Sequence, residues 1–107
     1  MIKGKKFDNN KIPCNIPLQE FPRVIEALAA CAKYGHDKYE TGDDWSNWCK
    51  VENGIFRYQQ AEVRHKLNRE KGVLTDIESG LPHEFHELWN KCAQLELKLR
   101  ENEKNAK

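Results

Sequence analysis

Toward the end of the chain, Leu81, Phe85, Leu88, Cys92, Leu95 and Leu99 recur in alternating steps of four and three. An α-helix gathers such positions on one side, because its 3.6-residue turn brings i, i+3, i+4 and i+7 together. A strand would scatter them over both faces. The pattern predicts a helix from about Pro82 to Glu103, with a charged tail, 101–107, that frays. A second stripe, Phe21, Val24, Ile25, Leu28 and Ala32, predicts a helix starting at Pro22, a residue suited to a first helical turn. That helix ends at Gly35 or one turn later at Tyr39. Between the two, residues 51–71 read as a helix stopped by Gly72, with Gly54 weakening its start.

Residues 1–17 read as an irregular arm, since Asn9-Asn10, Pro13 and Pro17 interrupt regular structure. A length of 107 residues holds one domain, 1–107, with a modest core. The expected fold is therefore all-α: a small bundle of three main helices behind an irregular N-terminal arm. Helices this short bury little surface, and the seam of the third outruns what its neighbours can cover. Association through the third helix is expected, with a dimer as the simplest form.

Charge narrows the partners. Eighteen lysines and arginines face 17 acidic residues, for a net charge of +1. A general nucleic-acid binder carries a basic stripe, which this balance does not supply. The longest apolar stretches are too short to span a bilayer, and no signal-peptide core follows Met1. Neither nucleic acid nor membrane is an expected partner. The four cysteines, Cys14, Cys31, Cys49 and Cys92, form no C-x-x-C pair, which argues against a zinc knuckle. Cys31 and Cys92 fall on apolar stripes, where a free thiol packs as a small hydrophobe. A reducing, cytoplasmic setting follows.

Two groups of residues carry possible chemistry. The first is Asp76, Glu78, His83 and His86, joined by His65 from the second helix. His83 and His86 are three apart and share one side of a helix. Imidazoles with carboxylates can hold a divalent ion and activate a water, which makes His65, Asp76, His83 and His86 the candidate metal ligands and Asp76, Glu78 and His83 the candidate catalytic groups. The plainer reading is a set of ordinary hydrogen bonds, with Asp76 or Ser79 capping the third helix.

The second group is cationic: Lys38, Arg57 and Arg64, with Lys11 as a possible addition. Arginine forks match phosphate oxygens, and the amides at the start of the third helix, freed by Gly80, can add donors. Aromatic residues accompany them: Tyr34, Tyr39, Trp45, Trp48 and Tyr58. A tryptophan in a Gly/Asp loop can stack on a base or can cap the core, and the sequence leaves both open. Phosphate-loop, dinucleotide-fold and serine-elbow motifs are absent.

The ordered set Lys6-Phe7-Asp8…Lys11, Pro17, Tyr34-Gly35-x-x-Lys38-Tyr39, Trp45 or Trp48, Tyr58-x-x-Ala61-x-x-Arg64-His65, Gly72-x-x-x-Asp76-x-Glu78-Ser79-Gly80 and His83-x-x-His86-x-x-Trp89-Asn90 resembles a known family. It is similar to the domain at the N-terminus of phage dATP/dGTP diphosphohydrolases, also found as a stand-alone small protein. The resemblance runs from about Lys5 to Leu97. It implies a phage origin, an all-α fold and a purine-nucleotide context. It also implies that the Arg64-His65, Asp76-to-Gly80 and His83/His86 blocks form the functional face. One departure matters: all-α nucleotide pyrophosphatases carry E-x-x-E followed by E-x-x-D. Here Glu84 and Glu87 make the first, and the only E-x-x-D, Glu40 to Asp43, precedes it.

Three functions follow, in order of preference. The first is a phage-type protein that binds a purine nucleotide, such as a host immune-signal nucleotide, and sequesters it in the infected cell. Its site would comprise Lys38, Trp45, Trp48, Arg57, Tyr58, Arg64, His65, Ser79, Gly80, His83 and His86, with no cofactor required. The second is a metal-dependent purine nucleotide diphosphohydrolase using Mg2+ or Mn2+. The third is an oligomeric interaction module without a ligand.

Overall fold

The computed structural model describes residues 2–106. The elements in chain order are α1 (Asn15–Glu20), α2 (Pro22–Tyr39), a 3-10 turn (Asn47–Lys50), α3 (Gly54–Glu70) and α4 (His83–Asn105). The architecture is all-helical, with three main helices as the sequence led us to expect. An isolated pairing of Thr75 with Pro82 is the one extended contact among the described residues.

Several boundaries differ from expectation, each for a local reason. The arm is irregular only to Cys14, because α1 begins at Asn15. Pro17 is its third residue, where a missing N–H would have had no partner within the helix. Helix α2 takes the longer of its two expected ends, running through Gly35 to Tyr39, and closes on Glu40, whose φ of 50° is left-handed. The tail does not fray from residue 101, since α4 continues to Asn105. Arg100 ties this end down: it donates to Glu96 at 2.8 Å and lies 5.1 Å from the centre of the Trp48 ring.

Helices α3 and α4 form an antiparallel hairpin. Gly54 at the start of α3 lies against Leu97 near the end of α4, where a Cβ would stand only 3.2 Å from the Leu97 Cδ1. At the other end Arg69 grips Glu87 through two bonds of 2.7 and 3.0 Å. Gly54, read from sequence as a weakness, is thus the point of close approach. Gly72, at φ 88°, ends the first arm of the hairpin by a left-handed step that suits glycine.

The interior is unusual in composition. Its buried apolar residues are Ala27 and Cys31 of α2 and Ala93 of α4. Alongside them α4 buries a polar stripe: His83, His86, Asn90 and Gln94. The stripe is satisfied: Asn90 donates to the His86 carbonyl at 2.7 Å, and Gln94 donates to Glu62 at 2.8 Å and to the Asn90 carbonyl at 3.0 Å. The apolar seam of the same helix faces the other way. Leu95 and Leu99 are 52% and 53% exposed, and Cys92 is exposed rather than packed. Phe21, Val24 and Ile25 of α2 are exposed as well. The four cysteines are free thiols, and no helix among the described residues is long and apolar enough to cross a membrane.

Candidate functional site

Helices α2 and α3, the loop between them and one side of α4 enclose a cleft of about 810 Å3. The loop is shaped by Asp44. Its carboxylate accepts from the Ser46 amide at 2.8 Å, the Ser46 hydroxyl at 2.6 Å and the Lys50 ammonium at 2.8 Å, which pull it far below the usual carboxylate range. His36 bonds the Gly42 carbonyl and presents its ring to Trp45. The two rings stack at 3.9 Å and 9°. Trp45 remains 58% exposed, so one face rests on His36 while much of the indole is open.

Trp48 has a different task. It is half-buried, its ring meets Arg100, and its carbonyl accepts from the Tyr58 hydroxyl at 2.7 Å. Burial pushes the Tyr58 phenol up to about 12, so it stays a donor at neutral pH. Trp48 and Tyr58 therefore build the cleft wall, whereas Trp45 offers a surface.

The cationic residues also divide. Lys38 pairs with Glu78 at 2.8 Å, with the Tyr34 and Tyr39 rings 5.8 and 5.4 Å from its nitrogen. The Glu78 bond raises its pKa to about 12. Arg57 and Arg64 line the cleft and, among the described residues, take part in no ion pair. Two uncompensated guanidinium groups on a concave wall attract an anion.

At the inner end of the cleft stand the histidines. The antiparallel hairpin sets His65 of α3 against His83 of α4, with their Nδ1 atoms 2.8 Å apart. His86 stacks on His65 at 4.5 Å and 14°. His83 and His86 are almost fully buried, at 3% and 6% exposure. Burial depresses the pKa of both His65 and His86, against the opposing pull of Asp76. Ser79 accepts from the Leu81 amide at 3.1 Å, and its hydroxyl shares a hydrogen bond with His86 Nε2, 2.7 Å away. The other nitrogen of His86 faces the Cys31 sulfur at 3.9 Å, and burial raises that thiol to about 11.

The loop 72–82 folds onto this cluster. Asp76 receives the Ser79 amide at 2.8 Å and its carboxylate comes within 3.8 Å of His86 Nε2. Two of the amides at the start of α4, expected to be free donors, are taken up: His83 donates to the Leu74 carbonyl at 2.8 Å and Phe85 to the Pro82 carbonyl at 3.0 Å. The helix has no side-chain cap either, because Asp76 closes its own turn instead.

Of the residues singled out from sequence, Lys38, Trp45, Trp48, Arg57, Tyr58, Arg64, His65, Asp76, Glu78 and His86 all line the cleft. Ser79, Gly80 and His83 do not; Ser79 orients His86, Gly80 turns the loop at φ 74°, and His83 backs His65. Residues outside the expected site also contribute. His36 supports Trp45, and Asn90 lines the floor. Asn90 was legible as the next turn after His86, while nothing in the local sequence tied His36 to Trp45. The Glu84/Glu87 pair lies outside the cleft, with Glu87 engaged by Arg69.

The whole chain, residues 1–107, matches the family described as dATP/dGTP diphosphohydrolase, N-terminal, and the chain belongs to that family. No curated protein and no solved structure shows significant similarity to it.

Proposed function

We propose that this member of the dATP/dGTP diphosphohydrolase N-terminal family binds a purine nucleotide in the α2–α3 cleft and holds it without cleaving it. One observation carries the reading: Arg57 and Arg64, in no ion pair among the described residues, line a cleft that is also lined by the open indole of Trp45. Guanidinium forks suit phosphate oxygens, and an indole supported from behind stacks on a base of any identity. Lys38 joins the phosphates by exchanging Glu78, since a partly exposed ion pair is weakly held. The family description supplies the purine context.

Retention is favoured over hydrolysis by the fate of the carboxylates. Glu84 and Glu87, the E-x-x-E pair of the sequence, sit away from the cleft, and Glu87 is engaged by Arg69, so this pair does not reach a polyphosphate there to hold Mg2+. A sequestering role toward a host signalling nucleotide fits such a site.

The test is a release assay. The purified protein is mixed with linear and cyclic purine nucleotides, with and without Mn2+, and free nucleotide is chromatographed before and after heat denaturation. A nucleotide that disappears and returns intact supports retention. A shorter product exceeding one equivalent overturns it in favour of hydrolysis, and depletion of no nucleotide overturns binding itself.

A further inference from the structure

Asp76 poses an electrostatic problem. Its side chain is only 17% exposed and pairs with no lysine or arginine among the described residues. Its nearest basic neighbour is an imidazole, His86, whose Nε2 lies 3.8 Å away. A largely buried anion without a cation is costly, and proteins resolve such cases by pairing or by coordinating a metal.

The donor atoms are already gathered. One nitrogen of His65, one of His83 and one carboxylate oxygen of Asp76 lie within 4.8 Å of one another. The two Nδ1 atoms are 2.8 Å apart. Two imidazole nitrogens on a tetrahedral ion, each about 2.0–2.1 Å from it, stand about 3.3 Å apart. Opening the histidine pair by about half an ångström therefore admits the ion, through small ring rotations. We infer that His65, Asp76 and His83 bind one divalent first-row transition ion, the histidines through Nδ1 and the aspartate through a carboxylate oxygen.

Two imidazoles and one carboxylate suit Zn2+, Co2+ or Mn2+ better than Mg2+, which prefers oxygen ligands and retains its water. Three protein ligands leave positions open, the arrangement of metal sites that also bind water or substrate. His65 and Asp76 line the cleft, so those positions adjoin the space assigned to phosphates. His86 and Ser79 form the outer layer: the Ser79 amide fixes Asp76, and its hydroxyl fixes His86 against the His65 ring. The inference is independent of the nucleotide reading, because it needs only the ion.

The experiment is calorimetric titration of EDTA-treated, dialysed protein with ZnCl2 alone, repeated with MnCl2. One equivalent per chain is expected, together with a rise in thermal midpoint. Asp76→Asn and His65→Gln keep nearly the same shapes and are expected to weaken binding by more than about 100-fold, beyond what loss of an outer-layer partner does. Circular dichroism verifies that each variant is folded. Should one variant unfold, the other decides. The inference is overturned if the wild-type chain takes up neither ion, or if a folded variant binds as tightly as wild type, which would place the ion elsewhere. Nucleotide retention measured in EDTA separates failure of this site from failure of the cleft.

Discussion

We propose that the outer seam of α4 joins two copies of this chain, and replacing Leu95 and Leu99 together by glutamate is then expected to weaken that association about a thousandfold. The argument begins with surface area. A folded monomer of 12.6 kDa exposes about 6,200 Å2, whereas this chain exposes 9026 Å2. The radius of gyration, 17.8 Å, likewise exceeds the value of about 13 Å for a compact domain of this length. The exposed N-terminal arm accounts for part of the excess. The rest includes the outer seam of α4 and the stripe of α2, beside a shallow apolar depression of about 250 Å3 lined by Leu28, Trp48, Trp89, Cys92 and Ala93. A standard interface takes about 800 Å2 from each partner, which this surface can supply. Each leucine is half exposed, so covering it adds about 1 kcal/mol, half the usual full burial. In a two-fold interface each substitution acts twice, giving about 4 kcal/mol for the double variant, or about a thousandfold in dissociation constant. Sedimentation velocity over a concentration series reads this directly. The reasoning is refuted if wild type sediments as a monomer at its highest soluble concentration. It is equally refuted if the double variant associates as wild type does.

Three other outcomes are expected. Trp45→Ala, at a largely exposed position, should leave the fold intact yet weaken nucleotide retention by about 1–3 kcal/mol, roughly 5- to 150-fold, measured by equilibrium dialysis. Glu87→Gln should flatten the acid limb of the stability curve. Its bond to Arg69 holds the Glu87 carboxyl below its ordinary value, so the native state gains stability above the unfolded value near 4.5 and loses it as pH falls through the lower folded value. Thermal unfolding between neutral and strongly acidic pH checks the sign. Gly72→Ala forces a side chain into a left-handed step and should cost about 1–2 kcal/mol, seen as a lower thermal midpoint.

What the sequence by itself determined is the set of helices and their punctuation. Pro22 starts α2, Gly72 stops α3, and the four-three spacing of leucines makes α4 helical, because these are local properties of φ/ψ preference and helical period. Helix α1 escaped because Pro17 reads as a breaker unless its place in the first turn is known. The chemical inventory was also legible, since arginine, histidine and aspartate declare what they can bind.

Which face of α4 turns inward was decided only by the tertiary structure. The helix carries two stripes, the leucine seam and the line of His83, His86, Asn90 and Gln94, and periodicity alone favours burying the first. Helix α3 instead offers His65 and Glu62 to the second, and the polar stripe goes inside because those partners satisfy it. The same long-range pairing brings Arg69 to Glu87 and folds Asp76 onto the histidines. Such contacts join residues many positions apart through the geometry of a hairpin, and a spacing rule confined to one helix carries no information about them.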